Sequence, residues 1–229
     1  MSVYDTTRDW VRSLYDARIH TPAVLDTEHY FPNADRFVAR WREIRDEALA
    51  IRATLSQVPR FHDLMPEQAE ISANDGRDWR MFIIRAYGTD VEKNRTRVPV
   101  ISSLLAQTPE VTSCVLSFLA PGKHIPRHRG PFRGILRFHL GLVMPRDAKG
   151  ELGAILDVDG IEHQLADGDC LLWDDTYPHE AWNKTDEVRI ALLLDVWRRD
   201  MPYDMEVLSR LIASGVRLGM RFNGISYGG

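Results

Sequence analysis

The chain has 229 residues, of which 44% are hydrophobic and 27% charged, with a net charge of −4. This length and composition suit a soluble globular domain with a full hydrophobic core, and the acidic balance argues against a nucleic-acid-binding domain. Two cysteines, Cys114 and Cys170, are too few for a disulfide framework or a thiolate zinc site. The charged N-terminus is unlike a signal peptide, and no apolar run approaches the roughly 18 residues of a membrane span. We therefore expect a cytoplasmic protein with no membrane span.

The first 75 residues are predicted to be mostly helical. Between residues 34 and 55, apolar side chains recur at three- and four-residue steps, which predicts an amphipathic helix capped by Asn33 or Asp35. A shorter helix is predicted at about 98–107, opening near Pro99, and a last one at about 205–218.

Short β-rich runs bounded by turn residues occupy most of the remaining chain, at 79–87, 112–119, 134–144, 154–157, 162–165, 170–173 and 188–197. Asp159-Gly160 is a typical hairpin turn between two of them. Many short, evenly spaced strands predict a mainly β fold, an antiparallel double-sheet jelly roll. We expect one domain over 1–229, comprising a mostly helical part (1–75), a jelly-roll core (76–202) and a C-terminal helix and tail (203–229).

The run 135–143 combines a core face with a polar face. Side chains alternate along a strand, so Arg137 and His139 share one face, while Leu136, Phe138 and Leu140 share the other. A buried arginine needs an anion, and either a protein carboxylate or a ligand would serve; alternatively, this face of the strand is exposed to solvent. Arg189, near the start of the last strand, also offers a planar fork for a carboxylate, although a solvated strand end is the commoner reason for an arginine there.

Two histidines stand near predicted turns. His128 follows a Pro-Gly turn, and His179 precedes the last strand. Iron oxygenases usually bind the metal through two histidines and one carboxylate, with the first pair in the form His-x-Asp. Here that segment is His128-Arg129-Gly130, so the carboxylate is missing, and these residues alone leave metal binding as one of several interpretations.

Taken together, these segments resemble the aspartyl/asparaginyl β-hydroxylase family of Fe(II)/2-oxoglutarate-dependent oxygenases. The resemblance covers about residues 79–202. It rests on the spacings of the residues named above and of Ser117, and on the phrases LRFHLGLVMP, WDDTYPHEAWN and DVWRRDMP. The family implies a double-stranded β-helix (jelly-roll) fold. It also implies iron bound by two histidines with glycine in place of the usual carboxylate, a pattern that Gly130 fits.

The resemblance implies a role for each matching residue. His128 and His179 match the iron ligands at the catalytic centre, and Arg189 and Ser117 match the pair that holds the distal carboxylate of 2-oxoglutarate. Near the other carboxylate of the cosubstrate, the resemblance implies Arg137, His139 and the backbone of Phe138. Trp79 matches an aromatic residue at the cosubstrate pocket.

The implied activity is hydroxylation of an unactivated carbon with Fe(II), 2-oxoglutarate and O₂. The substrate would be a small molecule, a peptide or a carrier-bound group, such as the β-carbon of an aspartyl, asparaginyl or other amino-acid-like compound. Some relatives have a second arginine two residues before Arg137, where this chain has Ile135, which argues against a protein aspartate.

Three alternatives to this activity remain open. They are a halogenase, because Gly130 leaves room for chloride, a hydroxylase of a lipid acyl chain, and a non-catalytic jelly-roll module that binds an anion. Nothing in the sequence indicates the oligomeric state.

Overall fold

The computed structural model describes residues 3–130 and 132–222. Residues 1–2 of the predicted N-terminal part and the predicted tail at 223–229 lie outside the described residues. The proposed division into one domain with three parts stays a prediction.

Helices occur mainly before the first long strand and after the last one. They are α1 (Val3–Asp16), α2 (Thr27–Tyr30), α3 (Ala34–Val38), α4 (Trp41–Arg52), α5 (Phe61–Leu64), α6 (Glu92–Arg95), α7 (Pro99–Ala106) and α8 (Tyr203–Phe222). Two 3₁₀ helices span Leu55–Gln57 and Pro66–Ile71.

The strands form two antiparallel sheets. They are β1 (Val24–Leu25), β2 (Trp79–Ala86), β3 (Thr89–Asp90), β4 (Val111–Leu119), β5 (His124–His128), β6 (Ile135–Val143), β7 (Ala154–Val158), β8 (Ile161–His163), β9 (Cys170–Trp173), β10 (His179–Asn183) and β11 (Arg189–Trp197). The larger sheet has the order β1-β9-β6-β11-β4-β2-β3, and the smaller one β5-β10-β7-β8. From β4 onward the chain alternates between the two sheets, except that β7 and β8 pair as a hairpin in the smaller sheet, and this is the jelly-roll arrangement that the sequence predicted.

The sequence predicted one helix at 34–55, but the structure has two, α3 and α4. The prediction of a continuous helix was wrong. The backbone of Arg40 leaves the helical region (φ −110°, ψ 18°), and its N–H donates to the carbonyl of Phe37 in a 3₁₀ turn. The Arg40 guanidinium then donates to both carboxylate oxygens of Glu43 in the first turn of α4, which favours a new helix start. Apolar residues of both helices still pack on the sheet, as periodicity predicts.

The two faces of the larger sheet have different roles. One face packs against α3, α4 and α7 in the main hydrophobic core, where Leu136, Phe138 and Leu140 of β6 are fully buried. The opposite face turns toward the smaller sheet, with Trp79, Leu119 and other apolar side chains packed between them. Polar residues that alternate with the core residues, such as Arg137 and His139, therefore point between the sheets.

Helix α8 closes one end of the larger sheet. Met205, Ser209 and Ala213, spaced at four-residue steps, are buried on its inner side. Its outer side carries an exposed apolar ridge, which we define as Tyr203, Val207, Leu211 and Leu218. Of the helices in the described part of the chain, none combines the length and apolar character that spanning a membrane requires.

Candidate metal and cosubstrate site

His128 and His179 lie side by side on neighbouring strands of the smaller sheet. They are direct partners in the pairing of β5 with β10, and their ring centroids are 4.1 Å apart. The sequence placed them beside turns, whereas the structure places them at the end of one strand and the start of the other. Antiparallel pairing thus brings together two residues that are far apart in the chain.

Both imidazole rings are oriented by the same hydrogen bond. Nδ1 of His128 lies 2.8 Å from the carbonyl oxygen of Pro126, and Nδ1 of His179 lies 2.9 Å from that of Tyr177. A carbonyl oxygen only accepts, so Nδ1 carries the proton in each ring and Nε2 keeps its lone pair. This is the tautomer and the support that a metal-binding histidine requires.

The same two histidines are held neutral. Burial lowers the pKa of His128. Burial, followed by the proximity of His128, lowers the pKa of His179 to about 3. Only the neutral imidazole binds a metal ion, so this pair is ready to do so at neutral pH.

Asp175 occupies the space beside Gly130. A Cβ atom at position 130 would lie 2.2 Å from Oδ1 of Asp175, and the Gly130 N–H donates to the Asp175 carbonyl at 2.6 Å. Burial raises the pKa of Asp175 to about 6, although the charge of Arg137 acts to lower it. Sequence reasoning did not connect this carboxylate with Gly130; only the pairing of the two loops reveals it.

Within the part of the chain that the structure describes, no third side chain extends the two-histidine arrangement. Over residues 3–130 and 132–222, no group of three His, Cys, Asp or Glu side chains is arranged to hold a metal ion. Two imidazoles on one side of a site leave several coordination positions for other ligands.

Arg137 is paired with protein carboxylates. Its Nε and Nη2 donate to Asp195 at 3.0 and 2.9 Å, and Nη1 lies 3.3 Å from Asp175. Burial acts to lower the pKa of Arg137, but the two carboxylates outweigh it and raise that pKa. Of the two anion sources that the sequence left open, the protein provides one, and this links Arg137 to the region beside Gly130.

Arg189 differs, because no carboxylate pairs with it among the residues that the structure describes. It is 5% exposed, its Nε has no hydrogen-bond partner there, and burial alone lowers its pKa to about 10. Its Nη1 approaches Oγ of Ser117 at 3.5 Å. A buried guanidinium without an anion costs several kcal/mol, roughly, so this position favours an anionic ligand.

Ser117 joins Arg189 to Trp79. The indole N–H of Trp79 donates to Ser117 Oγ at 3.0 Å, and the Trp79 ring stacks on Phe61 at 4.0 Å. Because Oγ accepts from both neighbours, its own O–H can donate to a ligand. The structure therefore brings Trp79 together with Ser117 and Arg189, the pair that the resemblance assigns to the distal carboxylate.

His139 lies between Arg137 and Arg189 along the paired strands β6 and β11. It is opposite Leu193, whereas Arg137 is opposite Asp195 and Arg189 is at the start of β11. It is 3% exposed, and neither ring nitrogen has a hydrogen-bond partner in the described part of the protein. Burial, then the charges of Arg189 and Arg137, hold its pKa well below the usual value. Buried polar atoms normally find partners, so His139 also points to a ligand. Phe138 faces the other way and packs edge-on against Phe31 in the core, so only its backbone is available to the site.

Comparison with known proteins identifies related sequences. A family model described as aspartyl/asparaginyl beta-hydroxylase matches residues 38–199. The chain is 35% identical to the ornithine lipid ester-linked acyl 2-hydroxylase of Rhizobium tropici over 188 residues, 81% of this chain and 65% of that protein. It is 28% identical to the human aspartyl/asparaginyl beta-hydroxylase over 203 residues, 84% of this chain and 25% of that protein. The chain thus spans less than two thirds of either relative's length, and the resemblance that the sequence segments indicated is confirmed.

Proposed function

Because the chain belongs to the aspartyl/asparaginyl beta-hydroxylase family, we propose that it is an Fe(II)- and 2-oxoglutarate-dependent dioxygenase that hydroxylates an unactivated carbon. The observation that carries this proposal is the buried guanidinium of Arg189, which has no carboxylate partner among the described residues, in the same inter-sheet space as two neutral histidines. A site for a dicarboxylate beside a site for a metal ion is what such an enzyme needs.

In this proposal, Nε2 of His128 and Nε2 of His179 hold Fe(II). Their Nδ1–H bonds to backbone carbonyls fix both rings, so metal binding needs no rotation of either side chain. When bound, iron with 2-oxoglutarate and O₂ supplies the oxidising chemistry, and the protein supplies position and a dry environment.

Arg189 and Ser117 bind the distal carboxylate of 2-oxoglutarate. The guanidinium offers two parallel N–H groups and the serine offers its O–H, which together match the two oxygens of a carboxylate. His139 and the backbone of Phe138 lie farther along the sheet, toward Arg137, and contact the opposite end of the cosubstrate. The ion pairs of Arg137 with Asp195 and Asp175 fix its guanidinium in place. Arg137 therefore contributes a fixed positive charge beside the cosubstrate and is not a free cation that binds it.

Two substrate classes follow from the relatives. The human protein's name indicates aspartyl and asparaginyl side chains, which would make the β-carbon of an amino-acid-like compound the target. The Rhizobium protein's name indicates an acyl chain of a lipid. The Rhizobium protein is 35% identical to this chain and the human protein 28%, over similar shares of the chain. For this reason we include an acyl chain as the second candidate substrate.

The test is an anaerobic titration of the protein with Fe(II) and then 2-oxoglutarate. We expect a weak visible charge-transfer absorption that appears only with both, and succinate formation when O₂ is admitted. Binding of 2-oxoglutarate with no such absorption and no succinate would contradict the proposal and favour the non-catalytic anion-binding module. A chloride requirement for product formation would instead identify a halogenase.

A further inference from the structure

Trp173 is a buried aromatic residue to which the proposed function gives no role. Its side chain is 3% exposed, and its indole N–H has no hydrogen-bond partner in the part of the chain that the structure describes. Buried N–H groups normally find an acceptor, because leaving one unpaired away from water costs free energy. The acceptor of this N–H is therefore expected to be water or a bound molecule.

Strand pairing places the Trp173 side chain on the face of the larger sheet that turns toward the smaller one. Trp173 is the direct partner of Arg137 in the pairing of β9 with β6, and directly opposite residues point to the same side of a sheet. The indole packs in the cluster between the two sheets. It meets the ring of His179 edge to face, with 4.7 Å between centroids and 72° between planes. The unpaired N–H therefore belongs to a side chain that contacts one of the two proposed metal ligands.

The nearest neighbours of Trp173 along this row of the sheet do not use its N–H. On one side, Arg137 directs Nε and Nη2 to Asp195 and Nη1 to Asp175, so both carboxylates are held in ion pairs. On the other side, Trp173 pairs with the apolar Val24 of β1. The donors of Arg137 are thus committed to the protein, whereas the donor of Trp173 remains available to a ligand.

Trp79 provides a comparison within the same inter-sheet space, because its indole N–H is already bonded to Ser117 Oγ at 3.0 Å. Trp79 lies in the row of Arg189, across β4. Trp173 lies in the row of Asp195, across β6. Six residues of β11 separate the two rows, which corresponds to about 20 Å along the strand. The Trp173 N–H is therefore outside the pocket proposed for the distal carboxylate of 2-oxoglutarate.

We propose that Trp173 is a further ligand-binding residue, whose indole N–H donates a hydrogen bond to an oxygen atom of a molecule bound beside His179. This inference rests on the proposed function, because a metal ion held by His128 and His179 would bring such an oxygen, either as water or as part of 2-oxoglutarate. The hydrogen bond provides the acceptor that the buried N–H lacks, and it fixes the position of the oxygen.

An indole suits this position because its N–H donates only and carries no charge. It selects an oxygen with a lone pair turned toward it and disfavours an ammonium or amide N–H in the same place. A lysine or arginine could make a similar hydrogen bond, but its positive charge would oppose the binding of a cation by the neighbouring imidazoles. Phenylalanine would keep the contact with His179 and lose the donor.

The first experiment observes the indole N–H directly by nuclear magnetic resonance. The chain has six tryptophans, so labelling their indole nitrogens with ¹⁵N gives a simple spectrum, and Trp173→Phe identifies the signal of Trp173. Zn(II), a diamagnetic probe ion, is added first and 2-oxoglutarate second. We expect the Trp173 indole proton to move downfield as it gains an oxygen acceptor. Movement with Zn(II) alone identifies water as the acceptor, and movement only after 2-oxoglutarate identifies an oxygen of the cosubstrate.

The imidazole signals of His128 and His179 separate failure of this inference from failure of the proposed function. If they shift with Zn(II) while the Trp173 N–H signal stays unchanged after both additions, the inference is overturned and the metal assignment stands. If they do not shift, the metal assignment fails and the inference fails with it.

The second experiment removes the donor without changing the shape of the side chain. Replacing Trp173 by 3-benzothienylalanine keeps the bicyclic ring and substitutes sulfur for N–H. The affinity for the ligand that moved the signal, measured by calorimetry, should fall about two- to tenfold, as expected for the loss of one hydrogen bond. The melting temperature of the ligand-free protein should not fall, because no hydrogen bond is lost there. The same replacement at Trp79 is the control, and it should lower that temperature because the bond to Ser117 is lost. Unchanged ligand affinity in the Trp173 variant would overturn the inference.

Discussion

The metal assignment depends on two single residues. His128→Ala and His179→Ala should each weaken Fe(II) or Mn(II) binding at least about 100-fold, because one imidazole cannot replace two, while the fold persists. His124→Ala is a matched control, because His124 lies on the same strand but its ring contacts Glu180 and Trp182. Calorimetry or the Mn(II) electron paramagnetic resonance signal measures the affinity. Tight one-to-one binding by either alanine variant would remove these histidines from the site.

Arg189 makes a separate prediction about the cosubstrate. Losing one partner of a desolvated charge pair costs roughly 2–5 kcal/mol, so Arg189→Ala should raise the 2-oxoglutarate concentration required for turnover at least about 30-fold. Arg189→Lys should restore only part of the affinity, since lysine lacks the planar fork. The assay is succinate formation against 2-oxoglutarate concentration. An unchanged requirement in the alanine variant would place the dicarboxylate elsewhere.

Gly130 and Asp175 form a third residue-scale test. Because a Cβ at position 130 would lie 2.2 Å from the Asp175 carboxylate, Gly130→Ala should lower the free energy of unfolding by roughly 1–3 kcal/mol. Asp175→Ala removes the obstacle, so the double variant should lose less than the sum of the two single losses. Denaturant unfolding of all four proteins checks this coupling, and strictly additive losses would show that the two positions do not interact.

At the scale of elements, the long strands were the most predictable. Their alternation and bounding turns located β9 exactly as observed at 170–173 and β2, β4, β6 and β11 to within one residue at each end. Leu136, Phe138 and Leu140 face the core as predicted. Side chains alternate with a period of two along a strand, so the apolar set of β6 lies together on the face that packs in the core. The same argument placed Arg137 and His139 together between the sheets.

The two strands that carry the histidines were not predicted. β5 has the sequence HIPRH and β10 has HEAWN, and both are short, polar and poor in β-branched residues. Such segments become strands through their partners rather than through their own preferences. Pairing between residues about fifty positions apart produces no pattern in the local sequence. For the same reason, the sequence could not link Asp175 to Gly130. The roles taken from the family resemblance remain proposals.

The whole protein's stability should depend on the cosubstrate. In its absence, wild-type protein carries the uncompensated charge of Arg189, so replacing it by methionine should raise the melting temperature. Added to Mn(II)-loaded protein, 2-oxoglutarate should stabilise the wild type further by mass action and leave Mn(II)-loaded Arg189→Met nearly unchanged. Thermal melting with and without the ligands tests both statements. Equal stabilisation of the two proteins would contradict the role of Arg189.

Stability should also fall on acidification because of His179. Its pKa is about 3 in the folded protein against an ordinary 6.5, so the stabilising contribution present above pH 6.5 is lost as the pH falls from 6.5 toward 3. The loss is at most about 1.4 kcal/mol per pH unit for this group. Asp175 acts in the opposite sense, since its folded pKa of about 6 exceeds the ordinary 3.8. The difference between wild type and His179→Gln, measured by denaturant unfolding across this range, isolates the histidine. Parallel curves would refute the prediction.

The position of β5 at the edge of the smaller sheet has a kinetic consequence. One histidine sits on a strand with a partner on one side only, while the other sits on β10, which is held on both sides. An edge strand opens locally at lower free energy than an interior one, so dissociation of a bound ion should proceed by fraying of β5 rather than by global unfolding. The lifetime of the metal complex would then track hydrogen exchange of the β5 amides, and an ion bridging the two strands would slow that exchange in return.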